Sequence, residues 1–217
     1  MKKYALILSF AVSGVASATI YTDATGDIAL GSLPHIDITS VEVTNTLSDI
    51  TFQFNLDGSP IATNWGKYNV VLRRVGASTL DTSATNNAWQ REYGLNGGST
   101  GFIGSWVDAS PANVETYTFN GSWNLNGPNA TNTVTASSVS ITVSLANLGL
   151  SVGDQIVFDA ITTGGGDDTA VDSLTGVAPT AWNQLVPLDG ETYNVVPEPG
   201  TLAVLGLGLL AARRRRK

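Results

Sequence analysis

The chain has 217 residues with no cysteine and one histidine, His35, which removes disulfides, thiol nucleophiles and the usual His/Cys zinc sites. Its formal net charge is −7, but seven of the 11 Lys+Arg lie at the two ends. Residues 19–196 therefore hold four cations against 17 acids, a net −13 that repels phosphate backbones and excludes nucleic-acid binding.

Lys2 and Lys3 precede an apolar run over residues 4–15 and the small-x-small site Ala16-Ser17-Ala18. That is the layout of a signal peptide over residues 1–18, with the mature chain starting at Thr19. Residues 19–195 are long enough to bury a core without covalent staples. After a polar lead-in, Asp23-Ala24-Thr25-Gly26-Asp27, and a turn at Gly31-Ser32-Leu33-Pro34, the hydrophobic period becomes two. Ile36, Ile38, Val41 and Val43 form one run, and Ile50, Phe52, Phe54 and Leu56 alternate strictly with polar residues in the next. A hairpin-length connection joins them, so they are expected to pair antiparallel with one face buried.

Residues 67–75 read as a third strand, and residues 77–101, rich in Ser, Thr, Asn and Gly, as a long loop or edge region. Short strands follow at 102–107, 114–119 and 121–125, then a Pro/Asn/Thr loop over 126–135. Further strands are expected at 139–145, 155–161 and 191–195, with the flexible acidic stretch Gly164-Gly165-Gly166-Asp167-Asp168 between the last two. Eight or nine strands without an amphipathic helix predict an all-β fold: a single antiparallel β-sandwich, jelly-roll-like, over residues 19–195.

The body ends at Val196-Pro197-Glu198-Pro199-Gly200, because both prolines lack a donor and force extended backbone before them. Residues 201–212 are uncharged and apolar, and Arg213-Arg214-Arg215-Arg216-Lys217 form a basic, cytoplasmic-side stop. As a short hydrophobic helix those 12 residues reach about 18 Å, below the roughly 30 Å hydrocarbon core, so they make a poor permanent anchor. Residues 196–217 closely resemble the sorting signal of PEP-CTERM proteins. In that family an exosortase, a transpeptidase-like membrane enzyme, is understood to recognise the signal and process the chain near it. The resemblance implies export to the surface or exterior of an exopolysaccharide-producing Gram-negative cell, with transient inner-membrane association.

The mature domain resembles DOMON-like and family-nine-like carbohydrate-binding β-sandwiches. The residues behind this are Asp23 to Asp27 as a D-x-x-G-D lead-in, the strand around Asp37-Ile38-Thr39, and Ser144-Leu145-Ala146 with Gly153-Asp154 before a late strand. That resemblance implies sugar binding as a family tendency. Trp65, Trp89 and Tyr93 are the candidate glycan-stacking residues, their alternative role being to cover a core; Trp106, inside a strand, is expected to be core. Asp23 with Asp27, and Asp167, Asp168 and Asp172, are candidate calcium ligands, hard oxygens on Gly-rich loops, with solvated turn carboxylates as the alternative. His35, following Pro34, reads as a surface or edge residue. Glu42, Glu92, Glu115 and Glu191 could supply a glycosidase pair only if the fold set two across a cleft. The expectation is an exported, non-enzymatic protein associating with extracellular polysaccharide. A structural matrix protein and a glycan-active hydrolase are the alternatives.

Overall fold

The computed structural model describes residues 18–28, 33–108, 113–127, 130–164, 171–176 and 184–197. In chain order the strands are β1 (Thr19–Thr22), β2 (Ile38–Asn45), β3 (Asp49–Leu56), β4 (Lys67–Arg74), β5 (Tyr93–Leu95), β6 (Gly101–Trp106) and β7 (Asn113–Phe119). They continue as β8 (Trp123–Leu125), β9 (Ala130–Val134), β10 (Ser138–Ser144), β11 (Gln155–Thr163), β12 (Asp172–Ser173), β13 (Val186–Leu188) and β14 (Glu191–Asn194). Two single 3-10 turns, Pro34–Ile36 and Leu145–Leu148, are the helical content of the described residues. No helix among them is long and apolar enough to cross a membrane.

Two sheets face each other: β1-β2-β3-β10-β9, and β12-β11-β4-β6-β7-β8 with β14 also paired to β11. The alternation in β2, β3 and β10 sends Val41, Val43, Phe52, Phe54, Ile141 and Val143 inward. They meet Tyr68, Val70, Leu72, Ile103, Ile156 and Phe158 from the second sheet. Aromatic pairs cross the gap edge to face or tilted, Phe54 with Tyr68 at 5.7 Å and Phe52 with Phe158 at 5.3 Å between ring centres. The outer face of the first sheet carries a polar ladder instead, with Thr51 bonded to Thr142 at 2.8 Å and Ser140 to Gln53 at 3.1 Å.

The second sheet is buried on both faces, which is why β4 and β11 hold almost unbroken buried runs rather than alternating ones. Its outer cover draws β5 from the region read in sequence as a long loop or edge, and β13 from a stretch given no strand there. β5 and β13 pair in parallel and place Tyr93, Leu95, Val186 and Leu188 over Val71, Phe102 and Ile161. Few apolar residues make this layer, so buried amides organise it. Asn86 both donates to and accepts from the backbone of Leu95, each at 2.9 Å, as a strand partner would. Asn87 does likewise for Arg91, at 3.0 Å each way. β1, β9 and β12 are also additions to the sequence reading, which left their residues in lead-ins and loops.

Gly104 on β6 lies beneath the Trp89 ring, where any Cβ would overlap the indole. Gly104→Ala is therefore expected to cost about 1–3 kcal/mol in urea unfolding followed by tryptophan fluorescence. An unchanged midpoint would mean that Trp89 is not seated on the sheet.

Candidate functional site

β2 runs from one pole of the sandwich to the other, roughly 20 Å of strand, and different features gather at its two ends. At the Asn45 end lie both ends of the body. Thr19 of β1 pairs with Val43 of β2, and the Tyr21 hydroxyl donates to the Thr192 carbonyl at 2.7 Å. Buried Asn45 makes four hydrogen bonds: its Nδ2 donates to the carbonyls of Thr46 and Val196, both at 2.8 Å, and its Oδ1 accepts from the Tyr193 hydroxyl at 2.7 Å and the Val196 N–H at 3.2 Å. That uses the full capacity of the amide and holds both backbone groups of the first sorting-motif residue. Val195 is buried and bonds to Asp154 and Gly153, whereas the Val196 side chain is exposed. Pro197 completes the described part of the motif; Glu198, Pro199, Gly200 and the basic stop Arg213, Arg214, Arg215, Arg216 and Lys217 lie outside the described residues, as does the signal peptide up to Ser17.

At the Ile38 end the chain collects carboxylates. The slip in alternation between Ile38 and Val41 is a β-bulge at Thr39, between the pairs Ile38 with Leu56 and Ser40 with Asn55. The Thr39 carbonyl accepts the Asp23 N–H at 3.0 Å, drawing the lead-in segment onto this pole. Asp27, Asp37 and Asp172 each bring a carboxylate oxygen to within 4.8 Å of the others. Asp37 and Asp172 are 3% and 2% exposed, while Asp27 faces solvent. The Asp172 oxygens accept from the N–H groups of Ile38 at 2.6 Å and Ser173 at 2.9 Å, and Asp37 Oδ2 accepts from Gly26 at 2.8 Å. Asp37 Oδ1 and Asp23 Oδ2 are buried without a partner.

Electrostatics follow from that crowding. Burial, reinforced by the charges of Asp23 and Asp27 against the Ile38 hydrogen bond, pushes the Asp172 carboxyl up to about 8. Burial, with Asp27 and Asp37 nearby, pushes Asp23 up to about 7. Asp37 moves upward for the same first reason, with Asp57 and Asp27 adding to it. Among the described residues the single salt bridge is Lys67 with Asp108 at 2.8 Å, so no Lys or Arg neutralises this group.

The structure thus brings together two of the five candidate calcium ligands, Asp27 and Asp172, from well-separated parts of the mature chain, and sets Asp23 near enough for its charge to act on Asp172. Asp167 and Asp168 lie outside the described residues. Asp37 is a member that the sequence reading missed. Between two inward isoleucines it has the parity of a solvent-facing residue, and only the turn at Pro34–Ile36 and the bulge after it bury it.

The aromatic candidates separate. Tyr93, part of the outer cover, is fully buried against the sheet and has no face to offer a sugar, a correction to its reading as a stacking residue. It went inward because β5 needs a large apolar plug over Val71 and Phe102. Trp89 is half-buried against Phe102, Trp106 and Gly104; its Nε1 donates to Glu115 at 3.1 Å and the Arg91 guanidinium stands 5.3 Å from its ring centre. It serves as cover, and Trp106 is half-buried beside it rather than in the main core. Trp65 stays 37% exposed, edge-on to His35 at 4.5 Å. His35 is itself buried rather than at the surface, and burial lowers its basicity.

Compared with known proteins, residues 195–217 match the PEP-CTERM protein-sorting motif. That motif marks the chain for export and cell-surface sorting and implies processing by an exosortase-type enzyme. No curated protein matches the chain.

Asn45→Ala removes all four bonds at the start of this motif and is expected to cost about 2–3 kcal/mol. The folded variant should also be clipped by a nonspecific protease around residues 195–197, sites protected in the parent. Equal stability and equal resistance would remove Asn45 from that role.

Proposed function

We propose that this is an exported, non-catalytic surface or matrix protein that associates with extracellular polysaccharide. An exosortase-type enzyme handles its tail, and residues 201–212 give only a transient hold on the inner membrane. The observation that carries this reading is the sorting motif itself, beginning where the folded body closes at Asn45 and Val196. A signal placed there can be recognised or cut without opening a strand.

Support for the glycan lies at the pole opposite that exit. Trp65 offers a partly exposed ring, and the Lys67 to Asp108 ion pair beside it supplies polar groups. A body at −13 repels acidic sugars, so a neutral polysaccharide fits better. Catalysis finds less support. Glu115 is held by Trp89 and by the Tyr117 hydroxyl at 2.6 Å, and Glu42 stands on the other sheet. The three carboxylates that do converge include two that are almost wholly buried, out of reach of a sugar ring.

Replacing Pro197, Glu198 and Pro199 together by alanine should leave a folded protein retained by the cells, while the parent appears outside them, starting at Thr19 and lacking the Arg213 to Lys217 run. Equal release of both, or a parent found intact in the cytosol, would overturn the sorting assignment. Affinity electrophoresis through gels containing dextran, a β-glucan or a galactomannan tests the ligand. Retardation by at least one is expected and should be lost in Trp65→Ala, whose melting midpoint should stay within about 2 °C of the parent. No retardation by any would remove glycan binding.

A further inference from the structure

We propose that Asp27, Asp37 and Asp172, with Asp23 beside them, form a calcium site at the pole of the sandwich opposite Thr19 and Val196, fastening the lead-in segment between β1 and β2 to the start of β2 and to β12. The donor set is all carboxylate oxygen, the preference of a hard cation, and no histidine or cysteine belongs to the group. Oxygens on opposite sides of a calcium ion bound at 2.3–2.6 Å are about 4.6–5.2 Å apart, so three within 4.8 Å of one another fit on one calcium shell.

Proximity of acids alone would not make a site. The independent observation is Asp37, which is 97% buried by its 3% exposure yet leaves Oδ1 without any partner while its other oxygen is fixed by Gly26. Buried polar atoms are normally satisfied, so a bare oxygen on a carboxylate grouped with two others is free to ligate a cation. Asp23 Oδ2 is bare in the same way. Backbone donors from Ile38 and Ser173 occupy one lone pair on each Asp172 oxygen, which orients that carboxylate and leaves capacity for a metal. Asp27, on the solvent side, leaves room for the waters that bring calcium to six or more oxygens.

Calcium rather than magnesium follows from the source of the ligands. They come from three separately anchored pieces of backbone, the lead-in held at Thr39, the residue before β2 and β12 on the other sheet. Such a set suits the adaptable geometry of calcium better than a strict octahedron at 2.0–2.1 Å. A chain without disulfides gains from an ion there what a covalent staple would supply: a fastening between segments 134 residues apart. Extracellular modules bind calcium with dissociation constants of about 10⁻⁴–10⁻³ M, and that is the class expected here.

Titration of the purified protein with calcium chloride, by calorimetry and by melting against a chelator control, tests this without any glycan. Saturable binding near 10⁻⁴–10⁻³ M is expected, with a midpoint raised by about 5 °C at high calcium. Magnesium chloride should bind at least about tenfold more weakly. Asp27→Asn removes an exposed like charge from the group, so its metal-free midpoint should not fall below the parent's while calcium affinity falls at least about tenfold. Asp37→Asn should lose the calcium response altogether. Absence of heat and of any melting shift at 10 mM calcium would overturn the site. So would parental affinity in both variants, and equal affinity for magnesium would overturn the choice of metal.

Discussion

Asn45 is the side chain on which the two halves of this protein's design meet. It ends β2, sits 4% exposed, and binds β14 through Tyr193 and the departing chain through Val196. Without a disulfide to fix the last strand, these hydrogen bonds and the burial of Val195 determine where the fold stops. One amide satisfies both backbone groups of Val196, so the hydrogen bonding of this edge closes at that residue among the described ones. A tail that is read or removed at the membrane thus leaves the body complete.

The placement of the ends gives the sandwich a direction. Thr19 and Val196 leave from the same pole, flanking a shallow groove also lined by Tyr21, Tyr193 and Asn194. The bulge at Thr39, the carboxylates around Asp37 and the exposed ring of Trp65 gather at the other. The carboxylates and the exposed tryptophan thus lie at the pole away from Val196, where the sorting motif begins. The doubly buried strands β4 and β11 carry Lys67 and Thr162 to that same pole.

Much of the frame was legible in the sequence. Strict alternation in β3 and β10 gave a one-sided sheet, and the three-residue step from Ile38 to Val41 carried the bulge in its phase. The sorting motif was legible because proline chemistry and clustered arginine act locally. The cover over the second sheet was not, since Asn86 and Asn87 look like loop residues and only the folded chain shows their side chains replacing strand partners. For the same reason composition could not separate Tyr93, a plug, from Trp65, an exposed ring. The carboxylate group was half visible: Asp23, Asp27 and Asp172 stood out as loop acids, but Asp37 carried the parity of a solvent position. What joins them is the packing of one sheet on the other, which no local pattern records.

Amide hydrogen exchange across residues 193–197, compared between the unprocessed chain and the exported one, bears most directly on a body that closes at Val196. The amides of Tyr193, Val195 and Val196 are expected to exchange at least about a hundredfold slower than in an unstructured peptide, equally in both forms. Fast exchange at Val195 and Val196, or protection that disappears with the tail, would contradict it.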